Sequence, residues 1–431
     1  TGIDLEYDIS SDLIFNATSL PDFAHIEADP LQFNLSYQQG EELYLPEKRP
    51  FFREGSSILS TPITLFYTRR MNEILAGGKI YGKIKSTEII GLDVKTKDTK
   101  ENFAVLRVKQ EVFGTSTFGA LVTHKQDADT VSQAGGVDFN FPVFQPFLFT
   151  SQFAATNNTK VSGDHWAGYL GIEGETSSYR ASILARRIGS DFWADQGYIS
   201  VYDIGQQEIS GDAWYKILQN QGIFQWIRAA AYYDFAQEIG DRLTRGKTKL
   251  CMDFVTRSKW RLSVIGRRYY ECYGDDEFIN KTGELQIESN VGGMSGIASS
   301  LRIGELYDLS FKSWTLSCLF LPFKQISVYP YFQMIRWGET RWQWLTNTSI
   351  SYRITEKACF RVYLQAESKT GTETDETFTI EDFKSLSSNF LFGYEFAPRT
   401  MLYLVYNQKR LFDPESINHI VVAKFTYSLR F

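Results

Sequence analysis

Residues 422–431 read Val-Ala-Lys-Phe-Thr-Tyr-Ser-Leu-Arg-Phe, and their alternation decides the fold class. Ala423, Phe425, Tyr427, Leu429 and Phe431 share one parity, while Val422, Lys424, Thr426, Ser428 and Arg430 share the other. Side chains of a strand point alternately to two faces, so the first set builds a wholly apolar face. An apolar strand face ending on an aromatic is what the last strand of an outer-membrane β-barrel offers to lipid and to the interfacial girdle. Phe425, Tyr427, Leu429 and Phe431 are therefore the candidate barrel-closing and assembly signal. A first strand starting near Gly2 is expected to pair with residues 417–431 and complete the cylinder.

The same alternation recurs along the chain. Ile3, Leu5, Tyr7 and Ile9 alternate with Asp4, Glu6 and Asp8, and Tyr179, Ala181, Ile183 and Ala185 alternate with Arg180, Ser182 and Arg186. No window sustains the i, i+3, i+4, i+7 stripe of a helix. Short connections read at Lys85–Thr87, Glu175–Ser177 and Thr355–Lys357. Long polar ones read at Gln126–Gly136, Asn157–Asp164, Tyr273–Gly283 and Lys369–Ser387. Short turns at one end and long loops at the other is the asymmetry of a barrel. A propeller would repeat every ~40–50 residues, and no such repeat is present.

Composition agrees with strands rather than membrane helices. Hydrophobic residues make up 43% of the 431 and charged residues 22%, and no run reaches the ~18 apolar residues of a spanning helix. Aromatics reach 15%, as an interfacial girdle requires. The net charge of −6 argues against general nucleic-acid binding, which needs a basic face. Cys251, Cys272, Cys318 and Cys359 have no metal-site spacing and read as isolated strand residues, open to at most an unassignable disulfide. The chain starts at Thr1 with no signal-peptide pattern, so a leader is expected to have been removed.

Residues 21–60 break the pattern. They hold Pro21, Pro30, Pro46 and Pro50 of the 11 prolines and little alternation, and proline cannot donate to a central ladder. The reading is an irregular insert folded into the lumen or capping one mouth of a barrel otherwise wide enough to hold water.

This region also carries a resemblance. Pro21-Asp22-Phe23, Glu27-Ala28-Asp29, Pro46–Phe52 with Glu54-Gly55, Phe66–Arg70 and Gly77-Gly78-Lys79 resemble the pattern of an outer-membrane family, domain of unknown function 5916. Asp191–Tyr198 is similar to a mid-barrel segment of the same family. The resemblance, read over essentially the whole chain and strongest in residues 1–85, implies a barrel. It also implies an additional N-terminal domain like family-9 carbohydrate-binding modules in relatives. It implies no activity.

Glu47, Lys48, Arg49, Arg53, Glu54, Arg69 and Arg70 form the densest charge cluster on the chain. Such groups either set selectivity at a constriction, as charged rings do in pores, or pair with one another to anchor the insert to the wall. Asp22, Glu27 and Asp29, like Asp275, Asp276 and Glu277, lack the spacing of a calcium loop, and no metal site is assigned. Trp337, Trp342, Trp344, Tyr329 and Tyr331 could stack sugars but read as girdle or packing aromatics. His25, His124, His165 and His419 lie in no nucleophile or zinc motif, so an enzyme and a cofactor are not expected.

The sequence thus predicts an all-β fold: one transmembrane antiparallel β-barrel over residues 1–431, of roughly 18–22 strands and even in number, with the insert at 21–60. The expected location is the outer membrane of a Gram-negative-type bacterium. The expected partners are outer-membrane lipid, the barrel-assembly machinery and an envelope protein, with no nucleic acid. The expected role is a channel or transport protein for small solutes, narrowed by the insert. The alternative is a plugged barrel anchoring a larger envelope or surface complex. An insert this short is too small for the globular plug of an energised transporter.

Overall fold

The computed structural model describes residues 3–21, 44, 46–47, 49–71, 73–97, 99–158, 163–291, 295–340, 342–368, 383–397, 400–412 and 414–426. The strands are β1 Ile3–Ser10, β2 Leu13–Ser19, β3 Ile74–Ile84, β4 Thr87–Thr96, β5 Asn102–Val112, β6 Ser116–Gln126, β7 Val131–Phe144, β8 Phe147–Asn158, β9 Trp166–Glu175, β10 Tyr179–Ile188, β11 Gln206–Leu218 and β12 Phe224–Glu238. They continue as β13 Leu243–Thr256, β14 Arg261–Tyr273, β15 Asp276–Glu288, β16 Gly296–Leu306, β17 Leu309–Phe323, β18 Ile326–Trp337, β19 Gln343–Arg353, β20 Ala358–Ser368, β21 Phe383–Ala397, β22 Thr400–Phe412 and β23 Glu415–Thr426. They belong to one antiparallel sheet. No helix among the described residues is long and apolar enough to cross a membrane.

The described strands number 23, which corrects the expected even count of 18–22. The excess comes from polar stretches that are strand rather than loop. Tyr273–Gly283 was expected to be a long connection, yet Tyr273 pairs with Asp276 across the two residues Gly274 and Asp275. Asn280 and Thr282 are buried on one face of β15, so their polarity marks a face and not a loop. Likewise β7 begins at Val131, inside the expected loop 126–136, and β21 begins at Phe383, inside the expected loop 369–387. Among the described residues β1 pairs with β2, and residues 415–426 of β23 pair with β22. The expected closing ladder between the two chain ends is not among these pairings, and the described sheet is not closed. Tyr427, Leu429 and Phe431 lie outside the described residues.

The chain forms two compact units, the first from described residues within 1–23, 40–214 and 232–247, the second from those within 215–231 and 248–431. In the first unit the antiparallel strands place connections alternately at two ends. One end has only the tight turns 11–12, 85–86, 113–115, 145–146 and 176–178. The turn at 113–115 runs through Phe113 and Gly114, both at positive φ (48° and 83°), the backbone state that lets a short loop follow the strand twist. The other end carries the β4–β5, β6–β7 and β8–β9 connections, the long segment 189–205 and the described part of the insert between β2 and β3. The insert and segment 189–205 therefore enter from the same end.

In several strands outside β4–β6 the faces have inverted polarity. In β8, Gln152 is 4% exposed and the next residue, Phe153, 54%; in β15, Asn280 is 1% exposed and Ile279 48%. Leu262, Val264, Leu285, Ile287, Leu301 and Ile303 are exposed, while Ser263 and Thr282 are buried. A water-soluble sheet packed on a core shows the opposite alternation.

Candidate functional site

The described part of the insert runs from Tyr44 to Glu73 and is irregular well past residue 60, extending the expected boundary. Pro50 starts a single helical turn, Pro50–Arg53, a position where its missing N–H costs nothing. The turn drives Phe51 and Phe52 inward, and both are buried. Gly55 follows at φ +71°, where a Cβ would lie 2.7 Å from the Tyr81 ring; only glycine fits both the backbone and the wall. Ile63, Leu65, Phe66 and Met71 continue the apolar side of the insert. They pack with Ile90, Leu92, Val94, Phe103, Val105 and Leu121 of β4–β6, and on to Ala134, Ala154, Ala167 and Ile188 of β7–β10. This is the apolar core of the first unit.

The predicted charges hold the insert in place. The Arg49 guanidinium donates to Glu47 at 2.9 and 2.7 Å, to the Met71 carbonyl at 2.8 Å and to the Thr68 carbonyl at 2.7 Å, and lies 4.3 Å over the Phe52 ring. It staples the two ends of the described insert together. Glu54 accepts from the Asn16 amide of β2 at 2.7 Å and from the Tyr81 hydroxyl of β3 at 3.4 Å. Arg69 donates to the Pro46 carbonyl at 2.6 Å, and Arg70 to the Gly197 carbonyl at 3.1 Å. Arg53 is exposed, and Lys48 lies outside the described residues, as do Asp22, Glu27 and Asp29. The structure therefore brings Glu47, Arg49, Glu54, Arg69 and Arg70 into contacts within the insert and with its surroundings.

Burial acts to raise the Glu47 carboxyl, but the hydrogen bonds and charge of Arg49 outweigh it, and the net shift is below the ordinary glutamate value of 4.5. A carboxyl held lower when folded stabilises the fold above its unfolded value, and that stability is lost as pH falls through the folded value. Unfolding midpoints should therefore drop on acidification below pH 4.5, and Glu47→Gln should flatten that part of the profile. An unchanged profile in the variant would remove Glu47 from the account.

Four further anchors were not legible in the sequence. Lys79 of β3, 2% exposed, donates to the carbonyls of Phe51 at 2.5 Å and Glu54 at 2.8 Å. Arg107 of β5, 1% exposed, forms a two-pronged pair with Asp138 of β7 and reaches the Ile58 carbonyl at 3.2 Å. Gln152 of β8 accepts from the Ile63 amide at 2.6 Å and donates to the Ile63 carbonyl at 3.3 Å. Segment 189–205 then closes over the insert. Tyr67 N–H donates to the Gln196 carbonyl at 2.6 Å and Tyr198 N–H to the Thr64 carbonyl at 3.0 Å. Tyr44 stacks on Tyr67, and Tyr198 meets both edge-on. Asp191 is itself held by the Asp164 amide at 2.9 Å and the Ser190 hydroxyl, which keep its carboxyl below the usual range.

Among the described residues, the buried apolar cluster of the second unit is smaller than that of the first. It consists of Leu306, Phe311 and Ile335 with Tyr307 and Trp337 packed against them, which makes Trp337 a packing residue. Elsewhere the polar strand face of this unit carries charges. Arg228 pairs with Asp253 at 2.6 Å, and Asp253 accepts from the Ser263 hydroxyl at 2.5 Å. Arg261 pairs with Glu288 at 2.8 Å, Arg267 pairs with Glu284, and Arg302 donates to Thr282 at 3.0 Å. The Arg228, Arg261 and Glu288 side chains are about one-third exposed. Trp344 packs edge-on against Phe383. Phe425 is 60% exposed. The four cysteines are free thiols, and no grouping of potential metal ligands occurs among the described residues.

The insert's contacts locate the residues that carry the family pattern. The family described as Domain of unknown function (DUF5916) matches residues 1–97. No curated protein matches the chain. The family match thus takes in β1, β2, the insert and the two strands β3 and β4, which hold Lys79 and Tyr81. Asp191–Tyr198, read as similar to the same family, lies beyond the matched residues, yet it is the segment that grips the insert at Thr64, Tyr67 and Arg70.

Proposed function

We propose that this chain is an outer-membrane β-barrel that passes small polar solutes, with the insert filling the strand face of the first unit. The observation that carries the reading is the contrast between faces in β14–β16. Leu262, Val264, Ile279, Leu285, Ile287, Leu301 and Ile303 are exposed on one side. Arg261, Ser263, Arg267, Thr282, Glu284 and Arg302 occupy the other and meet side chain to side chain. An apolar face suits lipid and a hydrated polar face suits a solute path, and a closed sheet would satisfy every strand edge in the bilayer. The terminal alternation that includes Phe425 supports the same placement. The tight-turn end would face the periplasm and the insert would enter from outside.

The test is conductance of purified protein in planar bilayers, where discrete ohmic steps are expected. Failure of the inserted protein to conduct under any voltage overturns the channel reading. The firm packing of the insert favours one rival, a structural barrel that anchors an envelope complex. A stoichiometric protein partner retained in gentle detergent, together with electrical silence, would select that rival.

A further inference from the structure

The apolar face of β14–β18 ends in a band of cations, and strand register sets its rows. Val264, Leu285, Leu301, Trp314 and Met334 stand opposite one another from β14 to β18, and Trp344 of β19 continues the row. Two residues nearer the β14–β15, β16–β17 and β18–β19 connections, the next row reads Gly266, Gly283, Ile303, Lys312 and Arg336. The row beyond it reads Arg268, Lys281, Glu305 and Ser310. Residues two apart on a strand share a face, so all three rows lie on the side where Val264, Leu285, Leu301 and Ile303 are exposed.

Arg268 is thus directly opposite Lys281, and Lys312 directly opposite Arg336. Like charges in such cross-strand positions destabilise a sheet. Arg268, Lys281 and Lys312 are exposed, and the Nε of Arg336 is buried without a hydrogen-bond partner among the described residues. Glu305 shares the face, while Asp275, Glu277, Asp308 and Glu339 lie nearer the connections. None of these carboxylates forms an ion pair with the cations among the described residues.

Charge is costly deep in hydrocarbon but not at its boundary, where long basic side chains lay their stems on apolar surface and put their heads at phosphate level. Trp314, whose indole N–H donates to the Ser299 hydroxyl at 3.0 Å, and Trp344 mark such a boundary on the apolar row. Beside the cations Gly266 faces Gly283, and a Cβ on either would meet no atom within 4 Å. The face is open there: a floor of bare backbone with Arg268 and Lys281 on one side and Val264 and Leu285 on the other.

We propose that Arg268, Lys281, Lys312 and Arg336 bind the phosphate of a membrane lipid whose acyl chain lies over the floor at Gly266 and Gly283, toward Leu285 and Leu301. This rests on the membrane placement proposed above but not on conduction. Phosphate complements cations that lack a carboxylate partner, and a guanidinium can engage two of its oxygens at once. An anion set between like charges lowers their repulsion. A choline head group brings its own cation into the same space and fits less well.

The test uses the full chain in mixed micelles with lipids brominated on the acyl chain, which quench tryptophan on contact. Trp314 is read by difference from Trp314→Phe. Brominated phosphatidic acid should half-quench it at a mole fraction about tenfold lower than brominated phosphatidylcholine. The Lys281→Gln, Lys312→Gln, Arg336→Gln variant, which relieves both like-charged pairs and so should fold, should lose most of that difference. Gly283→Leu fills the floor and should weaken quenching by phosphatidic acid. Equal half-quenching of the wild type by the two lipids overturns the lipid site and leaves the membrane placement intact. A triple variant that keeps the full preference overturns the assignment to these residues. Displacement of the lipid by soluble polyglutamate makes the surface a site for an acidic protein and overturns the lipid assignment. Absence of quenching by either lipid overturns the membrane placement as well.

Discussion

Replacing Asp138 with alanine is expected to cost about 3–5 kcal/mol of stability, because it leaves the Arg107 guanidinium buried without its counter-charge. Arg107 is 1% exposed and Asp138 4%, and the pair is two-pronged between β5 and β7. The remaining Arg107 contact, to the Ile58 carbonyl at 3.2 Å, is one hydrogen bond to a neutral group and cannot replace a carboxylate. Gly119 explains why no relocation is open: a Cβ there would lie 2.6 Å from the guanidinium, so the side chain already fills its slot. The measurement is the urea midpoint in detergent micelles. The double variant Arg107→Met, Asp138→Leu should recover most of the loss, since paired removal avoids a stranded charge. A single-variant change below about 1 kcal/mol would mean that water reaches the pair and that its burial is not maintained.

Phe52→Ala is the second large effect, about 3–5 kcal/mol from lost transfer energy and the cavity left behind. Phe52 is 2% exposed, meets Phe51 edge-on at 5.1 Å and lies beneath Arg49. Its loss also removes the surface on which Arg49 rests while that group staples Glu47, Thr68 and Met71. The change should loosen the whole described insert, read as faster proteolysis within residues 44–71 with the strands still protected. Destabilisation without any gain in cleavage there would place Phe52 in the core but not in control of the insert.

Much of the fold could be read locally. Alternation at 3–9, 179–186 and 422–426 is a property of neighbouring residues, and the structure has strands at each. Prolines at 46 and 50 likewise announced the irregular insert. The strand count was misjudged where both faces of a strand looked polar enough to be loop, as at 276–283, because the alternation of exposure there is only partly an alternation of residue type.

The site was legible only as a density of charge around residues 47–54 and 69–70. What each charge does depends on partners far away in sequence: Gln152 meets Ile63 across 89 residues, and Arg70 meets Gly197 across 127. Lys79, Arg107 and Gln152 looked like ordinary polar positions of strands, since nothing in the neighbouring residues says which polar face will meet the insert.

The sequence by itself determined a period of two, an irregular proline-bearing insert and a family pattern in its first 97 residues, because each depends on adjacent residues. The tertiary structure alone decided which partners Glu47, Arg49, Glu54, Arg69 and Arg70 meet and that segment 189–205 contacts the insert. Those outcomes depend on strand register, which brings together side chains from separate strands and has no signature in any one of them.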